Sequence, residues 1–403
     1  MHNPLKEAIE ICEQLASDKR KLGFFFGAGT SMAVGMPGIK ELTEFVAKEL
    51  KDPYKTLFDN IKSESGSNAN VEDALNRIRL YRELIGDSET FEAGGIKGKV
   101  EGKELDIAVC KSIADAVAGT PDIKPHKTLA QWIRSLHANR EYPVEIFTTN
   151  YDLLIEQALE QAKVPFYDGF VGSVAPFFVP ESIDARIKKD EGLHYYPPKS
   201  WTRLWKLHGS INWYGNDSLS SICRSSGKSV LDGQELMIFP SREKYVQSRK
   251  LPFIALQDRL RNFLASGETL LIIHGYSFSD DHLNEIVFQC LRSNPHLSVM
   301  AFVYENLTSS FEEYGKENRK LTFYAPDKLC VGGIVSEWKE PDKEKQGGEE
   351  WVFWDDKNKK FSLADFNNFA SYLESFIGFN IKHSSFIDEN NTSEQSEAGN
   401  NEK

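Results

Sequence analysis

Short, mainly apolar runs punctuate the chain at 22–26, 144–148, 204–207, 236–239, 269–274 and 298–304. They are too short and too continuous for half-exposed helices, so they predict strands, the clearest of them buried on both faces. Between the runs, apolar residues recur every three or four positions. Leu5, Ala8, Ile9, Cys12 and Leu15 predict one helix face, and Leu42, Phe45, Val46 and Leu50 predict another on a helix beginning near Ile39. Val71, Ala74, Leu75, Ile78 and Leu84 predict a third, with Asn70 as its cap. Helical spacing resumes at 105–118, at 126–136 and at 252–264, and follows the 269–274 run through Leu283, Ile286, Val287 and Leu291. Strands that alternate with helices predict an α/β fold, a largely parallel sheet with helices on both of its faces.

The spacing of these runs predicts the organisation. Residues 1–305 form the main domain, interrupted by a mainly helical insertion at about 53–140 and by a loop excursion at 165–203, rich in aromatics, proline and glycine, that could cover a cleft. The glycine-containing, charged piece 86–103 reads as an exposed loop. Beyond Glu305 the rhythm weakens into a C-terminal appendage, 306–383, with WVFW as an edge strand and 366–377 as a closing helix. The polar, acidic tail 384–403 is expected to be disordered.

Charge and cysteines narrow the classes. The formal net charge of the 403-residue chain is −12, which argues against strong nucleic-acid binding by this chain alone. No apolar run approaches the roughly 20 residues of a membrane span, and no signal-peptide layout opens the sequence, so a cytoplasmic location is expected. The five cysteines, Cys12, Cys110, Cys223, Cys290 and Cys330, include no C-x-x-C pair. That speaks against both a disulfide framework and a cysteine-rich zinc site, and no metal is expected.

Four short stretches fall at predicted strand ends: Gly27-Ala28-Gly29-Thr30-Ser31, Thr148-Thr149-Asn150-Tyr151-Asp152, Lys206-Leu207-His208-Gly209-Ser210 and Gly275-Tyr276-Ser277. In a parallel sheet, ligands sit at the carboxyl ends of the strands. Strand, glycine loop and helix form the layout that receives a dinucleotide pyrophosphate. Gly27 and Gly29 would supply φ values closed to other residues and a close backbone approach, and the loop's free N–H groups would attract the anion. Each stretch also has a plainer reading. Asp152 could cap the next helix, Asn150 could close a turn, and His208 could be a hydrogen-bonded core histidine. Trp201, Trp205 and Trp213 read as core or cleft wall, and Asp280, Asp281 and His282 as a helix cap rather than as metal ligands.

Together, and in this order, the four stretches resemble the sirtuin superfamily over roughly residues 20–305. The glycine loop GAG-x-S, the following Gly35-Met36-Pro37, the T-x-N-x-D stretch, the HGS and the later G-x-S loop carry the resemblance. It implies a Rossmann-like domain that uses NAD. Two departures bear on the reaction. The paired C-x-x-C motifs of the zinc-bearing deacetylases are missing, since 211–234 holds only Cys223, and Gly38, Ile39 and Lys40 replace the acid, aromatic and arginine that follow the proline there. TTNYD, KLHGSINW and GYSFSDDH look like the zinc-free bacterial sirtuin-like NAD hydrolases of anti-phage defence, including those paired with a HerA-type ATPase.

The resemblance implies His208, Asn150 and Asp152 as catalytic residues, and Gly27, Ala28, Gly29, Thr30, Ser31, Pro37, Thr149, Gly209, Gly275, Tyr276 and Ser277 as the NAD-binding set. NAD would be the substrate, with no zinc, a homo-oligomer and an ATPase partner. His126 has a looser parallel near the nucleotide cleft. The residue chemistry agrees on its own terms. A pyridinium leaving group departs without a proton, so the site needs an amide to hold water or ribose hydroxyls and an imidazole to take a proton near neutrality. NAD-dependent deacylation, ADP-ribosyl transfer and a non-catalytic NAD- or ADP-ribose-sensing module are the alternatives.

Overall fold

The computed structural model describes residues 1–119, 121–136, 140–183, 197–198, 200–216, 221–225, 236–238, 251–341 and 351–377. Its centre is a nine-stranded sheet. From one edge to the other the strands are Phe166–Tyr167, Thr202–Lys206, Val144–Thr148, Lys21–Phe26, Thr269–His274, Leu297–Phe302, Leu321–Tyr324, Lys328–Val331 and Ile334–Glu337. The first seven run parallel, and the last two add on antiparallel.

The Lys21–Phe26 strand shows why the apolar runs were legible as strands. Phe24 and Phe26 enter the core on one face of the sheet, Phe25 enters the core on the other, and all three are buried. Helices therefore cover both faces. Pro4–Ala16, Ile39–Glu49, Val71–Ile85 and Lys124–Leu136 contribute to the first core, while Phe253–Leu264 and Asp281–Ser293 contribute to the second.

Between the Lys21–Phe26 and Val144–Thr148 strands lie helices at Tyr54–Glu64, Val71–Ile85, Gly98–Val117 and Lys124–Leu136. Asn70 caps the second of these through a reciprocal capping box with Asp73. Several local expectations change. The exposed loop predicted at 86–103 ends early, because a two-residue hairpin leads into a helix that starts at Gly98. Ile9, Phe45 and Leu84 face outward, while Ile11 and Ile85 are buried on the Pro4–Ala16 and Val71–Ile85 helices. The other expected core positions, among them Ala8, Leu15, Leu42, Val46, Leu75 and Ile78, are buried, so only the margin of each stripe differs.

The described residues of the 165–203 excursion are more structured than a surface loop. Phe166–Tyr167 joins the main sheet, while Phe170–Val171 and Phe177–Phe178 belong to a second, five-stranded sheet with Gly209–Asn216, Ser221–Arg224 and Leu236–Ile238. Residues 184–196 of the excursion lie outside the described residues, as does the 384–403 tail. The sheet also continues past Glu305, through the strands from Leu321 to Glu337. The predicted WVFW edge strand becomes a small hairpin in which Trp354–Asp355 pairs with Lys360–Phe361. The Phe366–Glu374 helix then returns to the first core. No helix among the described residues is long and apolar enough to cross a membrane.

Candidate functional site

Four strands end level with one another. Lys206 pairs with Thr148, Thr148 with Phe26, and Phe26 with His274, so one row of residues crosses the middle of the sheet. All four sequence motifs begin at or just beyond that row, and neighbouring loops therefore start roughly 4.8 Å apart. The chain leaves the Lys21–Phe26 strand toward one edge of the sheet and later returns beside it, at Thr269–His274, before building the other edge. That switch in direction is where an open α/β sheet leaves a crevice for a ligand.

The glycine loop packs against the Gly275 turn backbone to backbone. The N–H of Gly27 donates to the His274 carbonyl at 3.1 Å, and the N–H of Gly29 donates to the Gly275 carbonyl at 2.8 Å. A Cβ on Gly27 would lie 2.5 Å from the Gly275 oxygen, and one on Gly29 would lie 2.7 Å from the Gly275 Cα. Two expectations are corrected here. Gly27 has φ −107°, and neither it nor Gly29 takes a positive φ, so close packing rather than backbone freedom is what requires a glycine there. The N–H groups of Gly27, Gly29 and Thr30 are not free for an anion, because each already bonds a backbone carbonyl. Positive φ occurs instead at Gly35, Gly209 and Gly275. The loop also turns at once into a short helix, Ala28–Met32, before the helix that starts at Ile39.

Asn150 ties this loop to the next strand. Its Nδ2 donates toward the Gly27 carbonyl at 3.1 Å, Thr30 Oγ1 at 3.1 Å and Ser31 Oγ at 2.8 Å. The amide nitrogen is therefore committed to the protein, and the carbonyl Oδ1 remains as the atom that can accept from a water or a hydroxyl. Ser31 Oγ donates to Asp152 Oδ2 at 2.7 Å, while Asp152 Oδ1 accepts the Leu154 N–H at 3.0 Å. Asp152 thus links the first N–H of the Leu154–Gln161 helix to the glycine loop.

His208 is buried beyond the Thr202–Lys206 strand, its ring 6.5 Å from that of Tyr151. Its Nε2 lies 3.0 Å from Asp280 Oδ2. Asp280 Oδ1 accepts the N–H groups of His282 and Leu283 and so caps the Asp281–Ser293 helix. Burial pushes the Asp280 carboxyl up, but the His208 contact and these N–H donors outweigh it and hold the group below its ordinary value. The cap reading of this stretch is correct, and the link from Asp280 to His208 went unread. Among the described residues no cluster of three or more His, Cys, Asp or Glu could hold a metal ion.

The remaining predicted residues divide. Thr149 donates its N–H to the Phe26 carbonyl and sits one residue beyond the row. The Tyr276 hydroxyl bonds Asn284 Oδ1 at 3.0 Å and its ring packs on Phe25, so it supports the turn. Ser277 is exposed and pairs with Ser279, and Ala28 is exposed at the start of the short helix. Gly209 opens the strand that leads into the second sheet. Pro37 is half-buried between the short helix and the Ile39–Glu49 helix, outside the Asn150 network. Trp205 and Trp213 are core residues, while Trp201 is partly exposed.

Sequence reading missed two contributors. Lys206, buried at the strand end, pairs with Glu156 at 2.9 Å and donates to the Tyr151 and Asp152 carbonyls, so it braces the Asn150 loop from below. The C-terminal helix is the second. Phe366 packs on Phe26, His126 and His274, the His274 imidazole bonds the Leu363 carbonyl at 3.0 Å, and Asn367 donates to the Ala33 carbonyl. His126 is buried with neither ring nitrogen hydrogen-bonded among the described residues, and the Asp152 charge pulls against the effect of burial on it.

Residues 144–324 match the family model of the SIR2-like domain. No curated protein matches the chain. The SIR2-like segment starts on the first residue of the Val144–Thr148 strand and ends on the last of Leu321–Tyr324. It holds Asn150, Asp152, His208 and Asp280, and it implies NAD-related activity. The glycine loop precedes it in sequence and joins it in space through Asn150 and Asp152.

Proposed function

We propose that this protein is an NAD⁺ glycohydrolase, cleaving the bond between nicotinamide and ribose to give nicotinamide and ADP-ribose. The observation that carries the reading is the Asn150–Ser31–Asp152 network at the switch point of the sheet, with a carboxylate-paired histidine beyond the neighbouring strand. Nicotinamide departs as a neutral ring when the C1′–N bond breaks, so no acid is needed on the leaving side. Water then bonds to C1′ of the oxocarbenium-like sugar and must lose one proton. His208 is the base for that proton, and Asn150 Oδ1 holds the water or a ribose hydroxyl. Positioned acid–base help of this kind is worth roughly 10²–10⁴-fold.

An enzyme that drains NAD harms its own cell, which fits a defence role held in check until assembly or a trigger releases it. A homo-oligomer and an ATPase partner belong to that proposal. The test is NAD consumption by the purified full chain, alone and with an acylated peptide, beside Asn150→Ala and His208→Ala. Release of nicotinamide from NAD alone, lost in both variants, is the expected result. Release only with the peptide would make the protein a deacylase, and NAD binding without any turnover would make it a sensor.

A further inference from the structure

We infer that Asp280 is the positioning residue that sets the tautomer of His208, a step that rests on the reading of His208 as the base. The two oxygens of its carboxylate do separate jobs. Oδ1 takes the His282 N–H at 3.0 Å and the Leu283 N–H at 3.1 Å, and Oδ2 faces His208 Nε2 at 3.0 Å. An ionised carboxylate only accepts, so Nε2 must carry the hydrogen and Nδ1 must carry the lone pair. Nδ1 has no hydrogen-bond partner among the described residues. The base is therefore Nδ1, fixed by a residue 72 positions along the chain at the N-terminus of another helix. The same logic of acid, imidazole and proton acceptor orders a catalytic triad.

The Oδ1 bonds make a clean substitution available. Asparagine caps helices about as well as aspartate. In Asp280→Asn the amide oxygen must stay on the two backbone N–H donors, which turns the NH₂ toward His208. A donor now faces Nε2, so the imidazole hydrogen moves to Nδ1 and the base is blocked, while cap and fold stay in place.

The experiment uses the full chain labelled with ¹⁵N-histidine, recorded above the ordinary histidine titration range, with His208→Ala to assign the signal. In the unaltered protein His208 is expected to show a protonated Nε2 and a bare Nδ1, and in Asp280→Asn the reverse. NAD turnover by Asp280→Asn should fall roughly 10²–10⁴-fold with KM and thermal midpoint close to those of the unaltered chain. An unchanged tautomer, or turnover at the unaltered rate, overturns the assignment. Exchanged tautomers with no NAD turnover in either protein would instead sink the hydrolase reading and leave the Asp280 assignment standing.

Discussion

Gly29 and Gly275 touch backbone to backbone: the Gly29 N–H donates to the Gly275 carbonyl at 2.8 Å, and a Cβ on Gly275 would fall 2.5 Å from the Thr30 nitrogen. Gly275 also has φ +65°. Gly275→Ala therefore combines a clash with a left-handed backbone. Overpacking costs roughly 1–3 kcal/mol, and the left-handed conformation adds roughly 1–2 kcal/mol. Gly35→Ala is the contrast, because Gly35 has φ +84° but open space around it, and it should lose only the second amount. Urea denaturation of the two variants should rank Gly275→Ala well below Gly35→Ala. Equal midpoints would mean that the two loops are not packed as described.

Asn150→Ala removes the donor shared by Gly27, Thr30 and Ser31 and leaves those acceptors facing one another. A lost buried hydrogen-bond partner costs roughly 1–3 kcal/mol. Ser31→Ala removes one of these acceptors together with the hydroxyl on Asp152, and leaves the Asp152 contact with the Leu154 N–H intact. NAD turnover is expected to fall by roughly 10²-fold or more in Asn150→Ala and by less in Ser31→Ala. Calorimetric melts beside initial rates check both halves. A greater loss of rate in Ser31→Ala would shift the central role from the amide to the hydroxyl.

The sheet and the site were not equally legible. The 269–274 run was assigned residue for residue because four consecutive apolar residues, Leu270 to Ile273, permit little but a strand buried on both faces. The two-residue strands at Phe170–Val171 and Phe177–Phe178 give no period to read, and they exist only because a second sheet forms around Gly209–Asn216. The motifs could be placed at strand ends because each stands where an apolar run stops. Their partners were not, since the pairing of Asp280 with His208, the bracing by Lys206 and the return of Phe366 are long-range contacts with no local signature. The requirement for glycine at 27 and 29 comes from close packing on Gly275 and not from backbone freedom, and a sequence does not say which second backbone will lie against a loop.

Lys206→Met tests the bracing role. The lysine is buried against Glu156, whose carboxyl burial already pushes up and the lysine partly pulls back. Removing one member of a buried ion pair costs roughly 3–5 kcal/mol, and here the Tyr151 and Asp152 carbonyls also lose their donor. Lys206→Met with Glu156→Gln should recover much of the stability, since no unpaired charge is then buried. The double variant should nonetheless stay impaired in NAD turnover, because the Asn150 loop still lacks its support. Full activity in a stable double variant would reduce the lysine to a fold element.

Stability should also depend on pH through two imidazoles that flank Phe366. Burial lowers the pKa of His274 to about 4, and it lowers that of His126 to about 4 as well, against the opposing pull of the Asp152 charge. Unfolded histidines titrate near 6.5, so between about pH 6.5 and 4 the unfolded chain binds more protons than the folded one. Stability from this source is complete above that window and falls as the pH drops through it, by up to about 1.4 kcal/mol per pH unit for each histidine. Replacing the pair, as His126→Phe with His274→Gln, removes these titrations while glutamine can still donate to the Leu363 carbonyl. Urea unfolding of the unaltered and doubly substituted chains at a series of pH values isolates the effect, since the carboxylates are common to both. A flatter dependence is expected in the variant, and parallel curves would show that both rings take up protons in the folded protein as readily as in the unfolded one.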